Sequence, residues 1–198
     1  MIAIINYGTG NFQSIENAFK HLGQRVKITD SLVEIKKAEK IILLGVGNFG
    51  EAVKNLKRKK LDLLIKKEVL EGKPFLGICL GMQLLFESSE EEPKIKGLAI
   101  LKGKCLKFKK LKIPQIGWNQ VQIKKKAKIF EQIENKNFFY FMHSFYVKPV
   151  LSDVVIATTD YDKEFCSAIN FKNIFGVQFH PEKSGKKGLK ILKNFSSI

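Results

Sequence analysis

The chain has 198 residues, of which 44% are hydrophobic and 27% charged, and it carries a formal net charge of +16. This is the composition of a globular protein, and it excludes a disordered or collagen-like chain. No apolar run approaches the roughly 20 residues of a membrane-spanning helix, and no basic leader precedes an apolar core, so we expect neither membrane insertion nor export. The three cysteines are far apart without a CxxC pair, which favours a cytoplasmic protein without disulfides or a metal site.

The positive charge comes almost entirely from lysine. Lysine and arginine together number 35, but Arg25 and Arg58 are the only arginines. Recognition of phosphates and bases favours the bidentate guanidinium group, whereas the lysines here are spread along the chain in short runs without interleaved aromatic residues. We therefore expect a solvated lysine-rich surface and no nucleic-acid partner. A lysine-rich binding module on the same scaffold stays as an alternative.

The first half of the sequence alternates short apolar segments with helical patterns. Strands are predicted at 1–6, 25–29, 41–44 and 75–78, and helices at 12–22, 51–70 and 80–87. Strands that alternate with helices predict an α/β fold, with an open, mostly parallel twisted sheet and helices on both faces.

The second half is richer in β-type segments. Strands are predicted at 98–108, 118–123, 138–147, 154–159, 165–171 and 174–179, which we expect to add antiparallel strands to the same sheet. Ser184 is predicted to cap a last amphipathic helix. No linker or internal repeat interrupts the chain, so a single domain over residues 1–198 is expected.

The sharpest local feature is Cys79, which stands between a predicted buried strand and a helix. Gly77 and Gly81 flank it at two positions on either side, as the tight turn of a nucleophile elbow requires. A cysteine at such a corner lies near a helix N-terminus, which favours the thiolate, and the N–H of Leu80 points to where an oxyanion would form. Cys105 and Cys166 have no such frame and are predicted to be structural.

A thiolate nucleophile needs a base, and the chain has three histidines. His180 lies two residues before Glu182, and in an extended segment Gln178, His180 and Glu182 share one face. Glu182 would then orient the ring of His180 toward Cys79. His21 is expected at the surface and His143 is expected to be structural.

Glycines also follow the predicted strand at 41–44. In Gly45-Val46-Gly47 the backbone is free to approach a ligand and present N–H groups, although a simple tight loop has the same composition. No Gly-Lys-Ser/Thr follows, so the segment is not a phosphate-binding loop. It fits a second oxyanion donor or a substrate cradle.

Taken in order, these motifs resemble a known family. Gly77-Ile78-Cys79-Leu80-Gly81-Met82-Gln83 and residues 176–184 are similar to the class I, triad-type glutamine amidotransferases. The segments at 45–50, 116–119 and 140–145 resemble the glutaminase subunits of imidazole glycerol phosphate synthases within that family. The resemblance covers nearly the whole chain, and it implies the fold of that family.

The resemblance implies hydrolysis of L-glutamine to glutamate and ammonia by a Cys79–His180–Glu182 triad. Ammonia would pass to a (β/α)8-barrel cyclase subunit in a heterodimer that serves histidine biosynthesis, with no cofactor. The implied oxyanion and substrate-binding residues are Gly45, Val46, Gly47, Leu80, Gln83, His143, Ser144 and Phe145. The implied interface residues are Asn11, Trp118, Tyr140 and Lys183.

Four positions depart from the family pattern. Leu44 replaces a proline before the glycine loop, Gln115 a histidine, Asn6 an aspartate and Asp162 a glycine. These departures leave open a diverged paralogue that supplies ammonia to a surface-sugar amidotransferase. A cysteine hydrolase or peptidase that acts alone is a further alternative, but it does not need the glycine loop or Trp118-Asn119 in this order.

Overall fold

The computed structural model describes residues 1–198. Its elements, in chain order, are β1 (Ile2–Ile5), α1 (Phe12–His21), β2 (Val26–Thr29), α2 (Leu32–Lys37), β3 (Lys40–Gly45), α3 (Phe49–Arg58), α4 (Leu61–Leu70), β4 (Phe75–Cys79), α5 (Leu80–Gln83), β5 (Ser88–Ser89), β6 (Gly103–Lys107), β7 (Gln115–Ile123), β8 (Asn137–His143), β9 (Phe145–Pro149), β10 (Val155–Asp160), β11 (Glu164–Phe171), β12 (Ile174–Val177) and α6 (Gly185–Ser196).

One twelve-stranded sheet runs through the molecule. Its main path is β2-β1-β3-β4-β12-β11-β10-β7-β8, while β5, β6 and β9 branch from β11. The strands from β2 to β12 are mutually parallel, and those from β11 to β8 are antiparallel to their neighbours. The predicted α/β fold, with antiparallel strands added by the second half, is confirmed.

The core lies on both faces of this sheet. Along β3 the side chains of Ile41 and Leu43 join one buried cluster, and those of Ile42 and Leu44 join the other. This alternation follows from the period of two in a strand, and a run of apolar residues is what a strand buried on both faces requires. Helices α3 and α4 cover the first face, and α1 and α6 cover the second.

Several predicted elements differ from the structure. The helix predicted over 51–70 is two helices, because Lys60 adopts a left-handed backbone with φ 56° between them. The strand predicted over 138–147 breaks at Ser144, the helix predicted over 80–87 ends at Gln83, and the short helix α2 was not predicted.

Ser184 stands at the N-terminal boundary of α6, but its side chain does not cap the helix. Its hydroxyl donates to the carbonyl of His180 at 2.6 Å and accepts from the N–H of Tyr140 at 2.9 Å. The capping prediction was therefore wrong, and Ser184 ties the segment that carries His180 to β8 instead.

Candidate active site

Cys79 occupies the corner between β4 and α5 with φ 52° and ψ −111°, a conformation that is strained for any residue but glycine. The corner closes because its flanking residues have no side chains. A Cβ on Gly81 would lie 1.7 Å from the carbonyl oxygen of Leu43, and one on Gly77 would lie 2.7 Å from that of Gly81. The close approach of β3, β4 and α5 thus fixes where the sulfur lies.

His180 reaches the same place from the neighbouring strand. Ile78 pairs with Val177 in parallel register, so the carboxyl ends of β4 and β12 lie side by side. The side chains of His180 and Glu182 are each 1% exposed, and Nδ1 of His180 lies 2.8 Å from Oε1 of Glu182. The expected extended segment is wrong, because residues 181–183 form a 3-10 turn that folds the carboxylate back onto the ring.

The electrostatics of His180 are set by competing causes. Burial disfavours the charged ring, but the negative charge of the nearby Cys79 sulfur, together with the Glu182 carboxylate, raises the pKa of His180 to about 10. Nε2 of His180 is buried and has no hydrogen-bond partner in the structure. The ring therefore holds a proton at neutral pH, beside the sulfur.

A cavity of about 290 Å³ opens beside Cys79. Seven of the eight residues expected to bind glutamine or its oxyanion line it, namely Val46, Gly47, Leu80, Gln83, His143, Ser144 and Phe145. Gly45 does not line it; a Cβ there would meet the hydroxyl of Tyr7 at 1.7 Å, so this glycine permits close packing behind the loop. The N–H groups of Val46 and Gly47 donate to no other residue.

Buried amides surround the sulfur. Nε2 of Gln83 donates to the carbonyl of Phe145 at 2.8 Å and to Oε1 of Gln178 at 3.1 Å. Nε2 of Gln178 in turn donates to Sγ of Cys79 at 3.6 Å.

His143 lies in the wall of the cavity and is 6% exposed. Nδ1 lies 2.8 Å from the carbonyl of Phe145, and Nε2 lies 2.9 Å from the side-chain amide of Gln115. Burial, with a smaller contribution from nearby His180, lowers the pKa of His143 to about 4, although the hydrogen bond that its ring donates to the Phe145 carbonyl acts in the opposite direction. The ring is neutral at pH 7.

The expected interface residues lie outside the cavity. Trp118 is 56% exposed and packs edge-on against Tyr140, with ring centroids 6.2 Å apart. The ammonium group of Lys183 lies 5.7 Å from the centre of the Tyr140 ring. Asn11 is exposed at the N-terminus of α1, where its side chain accepts from the N–H of Ser14 at 3.4 Å.

Two residues of the site were missed by the sequence analysis. Glu91 lines the cavity, and its carboxylate accepts from the N–H of Phe49 at 2.7 Å. In the sequence it is one of four acidic residues in a short polar stretch, so nothing distinguishes it there. Gln178 was placed on the His180 face by spacing alone, and only the structure shows its contact with Cys79.

The structure contains no group of three or more His, Cys, Asp or Glu side chains arranged to hold a metal ion. None of its helices combines the length and apolar character needed to cross a membrane.

Comparison with known proteins identifies the family. The family described as glutamine amidotransferase class-I matches residues 3–197. The chain belongs to this family. The family predicted from the sequence motifs is therefore confirmed.

Curated relatives of this amidotransferase span its full length. It is 53% identical to "Imidazole glycerol phosphate synthase subunit HisH" of Pyrococcus furiosus, over 100% of this chain and 98% of that protein. It is 52% identical to the protein of the same name from Methanocaldococcus jannaschii, over 100% of both chains. A solved structure described as "Crystal structure of glutamine amidotransferase" matches with a TM-score of 0.79, covering 99% of this chain and 97% of that one. At 16% identity, that likeness concerns the fold alone.

Proposed function

We propose that this amidotransferase is the glutaminase subunit of an imidazole glycerol phosphate synthase and hydrolyses L-glutamine to glutamate and ammonia. The observation that carries the proposal is the convergence of Cys79 with the buried His180–Glu182 pair beside a cavity of about 290 Å³. The names of the full-length relatives support histidine biosynthesis over a surface-sugar pathway.

In the first half of the proposed reaction, the Cys79 thiolate attacks the side-chain amide carbon of glutamine. The N–H groups of Leu80 and of Val46 or Gly47 stabilise the negative charge that develops on the amide oxygen. His180 gives its proton to the amide nitrogen as the carbon–nitrogen bond breaks. Ammonia leaves, and a glutamyl thioester remains on Cys79.

In the second half, His180 is neutral and takes a proton from a water molecule that attacks the thioester. The carbon–sulfur bond breaks, glutamate leaves, and the thiolate and protonated ring are restored. Glu182 holds Nδ1 of the ring throughout, which keeps Nε2 directed at the reacting atoms.

Glutamine binding is assigned to the cavity wall. Gln83 and residues 143–145 shape the pocket, as the family resemblance implies. The carboxylate of Glu91 gives the wall an anion that suits the substrate's ammonium group.

A barrel-type cyclase subunit is the proposed partner, and the exposed face of β7 and β8 is its proposed docking surface. Ile116 and Trp118 on β7 share this face with Phe138 and Tyr140 on β8, and Met142 continues it into the cavity wall. Asn11 and Lys183 are assigned to the rim. Ammonia passed directly to the partner stays unprotonated and nucleophilic. The three free thiols suit a reducing cytoplasm, which is the proposed location.

The proposal is tested by glutamine hydrolysis in the complex with the cyclase and its nucleotide ligand. Cys79→Ala is expected to lower kcat by roughly 10³-fold or more, since it removes the nucleophile. Cys166→Ala is the matched control, because this thiol lies on β11 and its sulfur faces the carbonyl of Ala168. Full activity in Cys79→Ala contradicts the proposal.

A further inference from the structure

Gln115 belongs to a buried polar network that the mechanism above does not use. It is 3% exposed and pairs directly with His143 across β7 and β8. The side chains of Ile116 and Trp118, which follow on β7, point to the opposite, exposed face of the strand. A buried side-chain amide that faces a ring must satisfy the ring's hydrogen-bonding pattern, since unpaired buried polar groups are costly.

The backbone decides which nitrogen of His143 carries the proton. The carbonyl of Phe145, 2.8 Å from Nδ1, only accepts hydrogen bonds, so Nδ1 must donate. The ring is neutral, because burial lowers its pKa to about 4. Nε2 is then an acceptor and needs a donor. The Gln115 amide oxygen lies 2.9 Å from Nε2. The oxygen and nitrogen of a side-chain amide are assigned from its hydrogen bonds, and rotating this amide by half a turn places its NH2 group against Nε2 as the required donor.

From His143 the network continues without a gap to the nucleophile. The Phe145 carbonyl also accepts from Gln83, which donates to Gln178, which donates to the Cys79 sulfur. Every link is buried or partly buried. In such a chain, each group limits the orientations open to the next.

We infer that Gln115 is a positioning residue for the proposed glutamine hydrolysis: its amide donates to Nε2 of His143 and so holds the ring against the Phe145 carbonyl, which selects the Nδ1–H tautomer. The ring thereby fixes the Phe145 carbonyl and Gln83, which form the pocket wall and the donor relay to Cys79. The inference rests on the proposed role of Cys79. Gln115 touches neither the substrate cavity nor the reacting sulfur, so it acts only through His143.

Two variants of similar size separate hydrogen bonding from packing. Gln115→Met keeps the volume and removes the donor. Gln115→Glu keeps the shape but presents only acceptors when ionised, which favours a proton on Nε2 as well and converts His143 to the imidazolium. Gln120→Met is the matched control, because Gln120 lies on the same strand and its side chain makes no hydrogen bond.

Two readouts are taken on the full chain at pH 7. Long-range 1H–15N spectra report which ring nitrogen of His143 is protonated. Alkylation of Cys79 by a chloroketone analogue of glutamine gives a maximum rate and a half-saturating concentration. We expect the neutral Nδ1–H form in the natural chain and in Gln115→Met, and the imidazolium in Gln115→Glu. In both variants we expect a maximum alkylation rate lowered roughly fivefold, the effect of about one hydrogen bond.

The outcomes distinguish the inference from the proposed function. A natural chain whose His143 is protonated at Nε2 overturns the inference without any variant. Unchanged alkylation rates in both variants overturn it as well, while the labelling of Cys79 leaves the glutaminase proposal standing. If the analogue does not label Cys79 in the natural chain, the proposed function fails first.

Discussion

His180 is a buried histidine that keeps its charge because of its neighbours. Burial alone would lower its pKa, and the Cys79 sulfur and Glu182 raise it to about 10. Cys79→Ala removes the negative charge beside the ring while burial still disfavours the charged form, so the pKa of His180 should fall well below 10. Ring NMR titration measures this directly, with the exposed His21 as an internal reference. A pKa that stays near 10 would show that Glu182 alone charges the ring.

His143 has the opposite tendency, and this makes stability depend on pH. Its pKa is about 4 in the folded chain and about 6.5 when unfolded. Between these values the unfolded chain binds more protons, so this site loses stability as pH falls from 6.5 toward 4. From pH 7 to pH 5 the loss is about 2 kcal/mol.

The measurement is urea unfolding at both pH values for the natural chain and for His143→Gln, which does not titrate. All other groups contribute alike to both proteins, so the difference between the two pH dependences isolates His143. We expect the natural chain to lose more stability than the variant. Equal losses would mean that the ring titrates normally in the folded state.

Sequence analysis could nominate Cys79, His180 and Glu182 because each lies in a short pattern with its own chemical logic. Glu91 and Gln178 carry no such pattern. Glu91 reaches the cavity only because its carboxylate binds the start of α3, and Gln178 only because β12 pairs with β4. Contacts of this kind depend on long-range pairing, which local spacing does not report.

The corner between β4 and α5 depends on two elements approaching without side chains between them. Gly81→Ala would place a Cβ 1.7 Å from a backbone carbonyl of β3, which can move only with the sheet. We expect a loss of more than about 3 kcal/mol in the free energy of unfolding, or failure to fold. Gly176→Ala is the matched comparison, since its Cβ would meet the side chains of Met82 and Ile169 at 2.8 and 2.9 Å.

Flexible side chains can rotate away, so Gly176→Ala should cost about 1–3 kcal/mol. Chemical denaturation of both variants gives the comparison. If Gly81→Ala were the milder of the two, α5 would have room to move, and the position of Cys79 would not be set by its contact with β3.

At the level of elements, the apolar parallel strands were predictable because their residues are buried on both faces. The break between α3 and α4 was not, because a lysine with a left-handed backbone leaves no mark in the sequence. The 3-10 turn after His180 was missed for a similar reason: the alternation of polar residues fits a strand equally well. Local ambiguity of this kind is resolved by packing, here by Ser184 and Tyr140.

Across the whole molecule, the lysines and the exposed aromatic face have separate places. The charge is distributed over the surface, and nine lysines pair with acidic residues, as Lys59 does with Asp30. The β7–β8 face instead gathers Ile116, Trp118 and Phe138, each more than half exposed. A cluster of exposed aromatic residues without arginines is more typical of a protein interface than of a nucleic-acid contact. The single-domain organisation stays a prediction that fits the continuous sheet.

Trp118 is therefore the side chain whose removal should most affect assembly with the proposed cyclase partner. It is 56% exposed, rests on Tyr140, and lies on the strand face that leads to Met142 in the cavity wall. Aromatic anchors at the centre of an interface commonly contribute 2 kcal/mol or more, so Trp118→Ala should weaken binding by at least about tenfold. Calorimetric titration with the cyclase measures it. Leu63→Ala is the control, because Leu63 is 71% exposed on α4, away from β7 and β8. Weaker binding in Leu63→Ala, with Trp118→Ala unaffected, would move the docking surface to the α3–α4 side of the sheet.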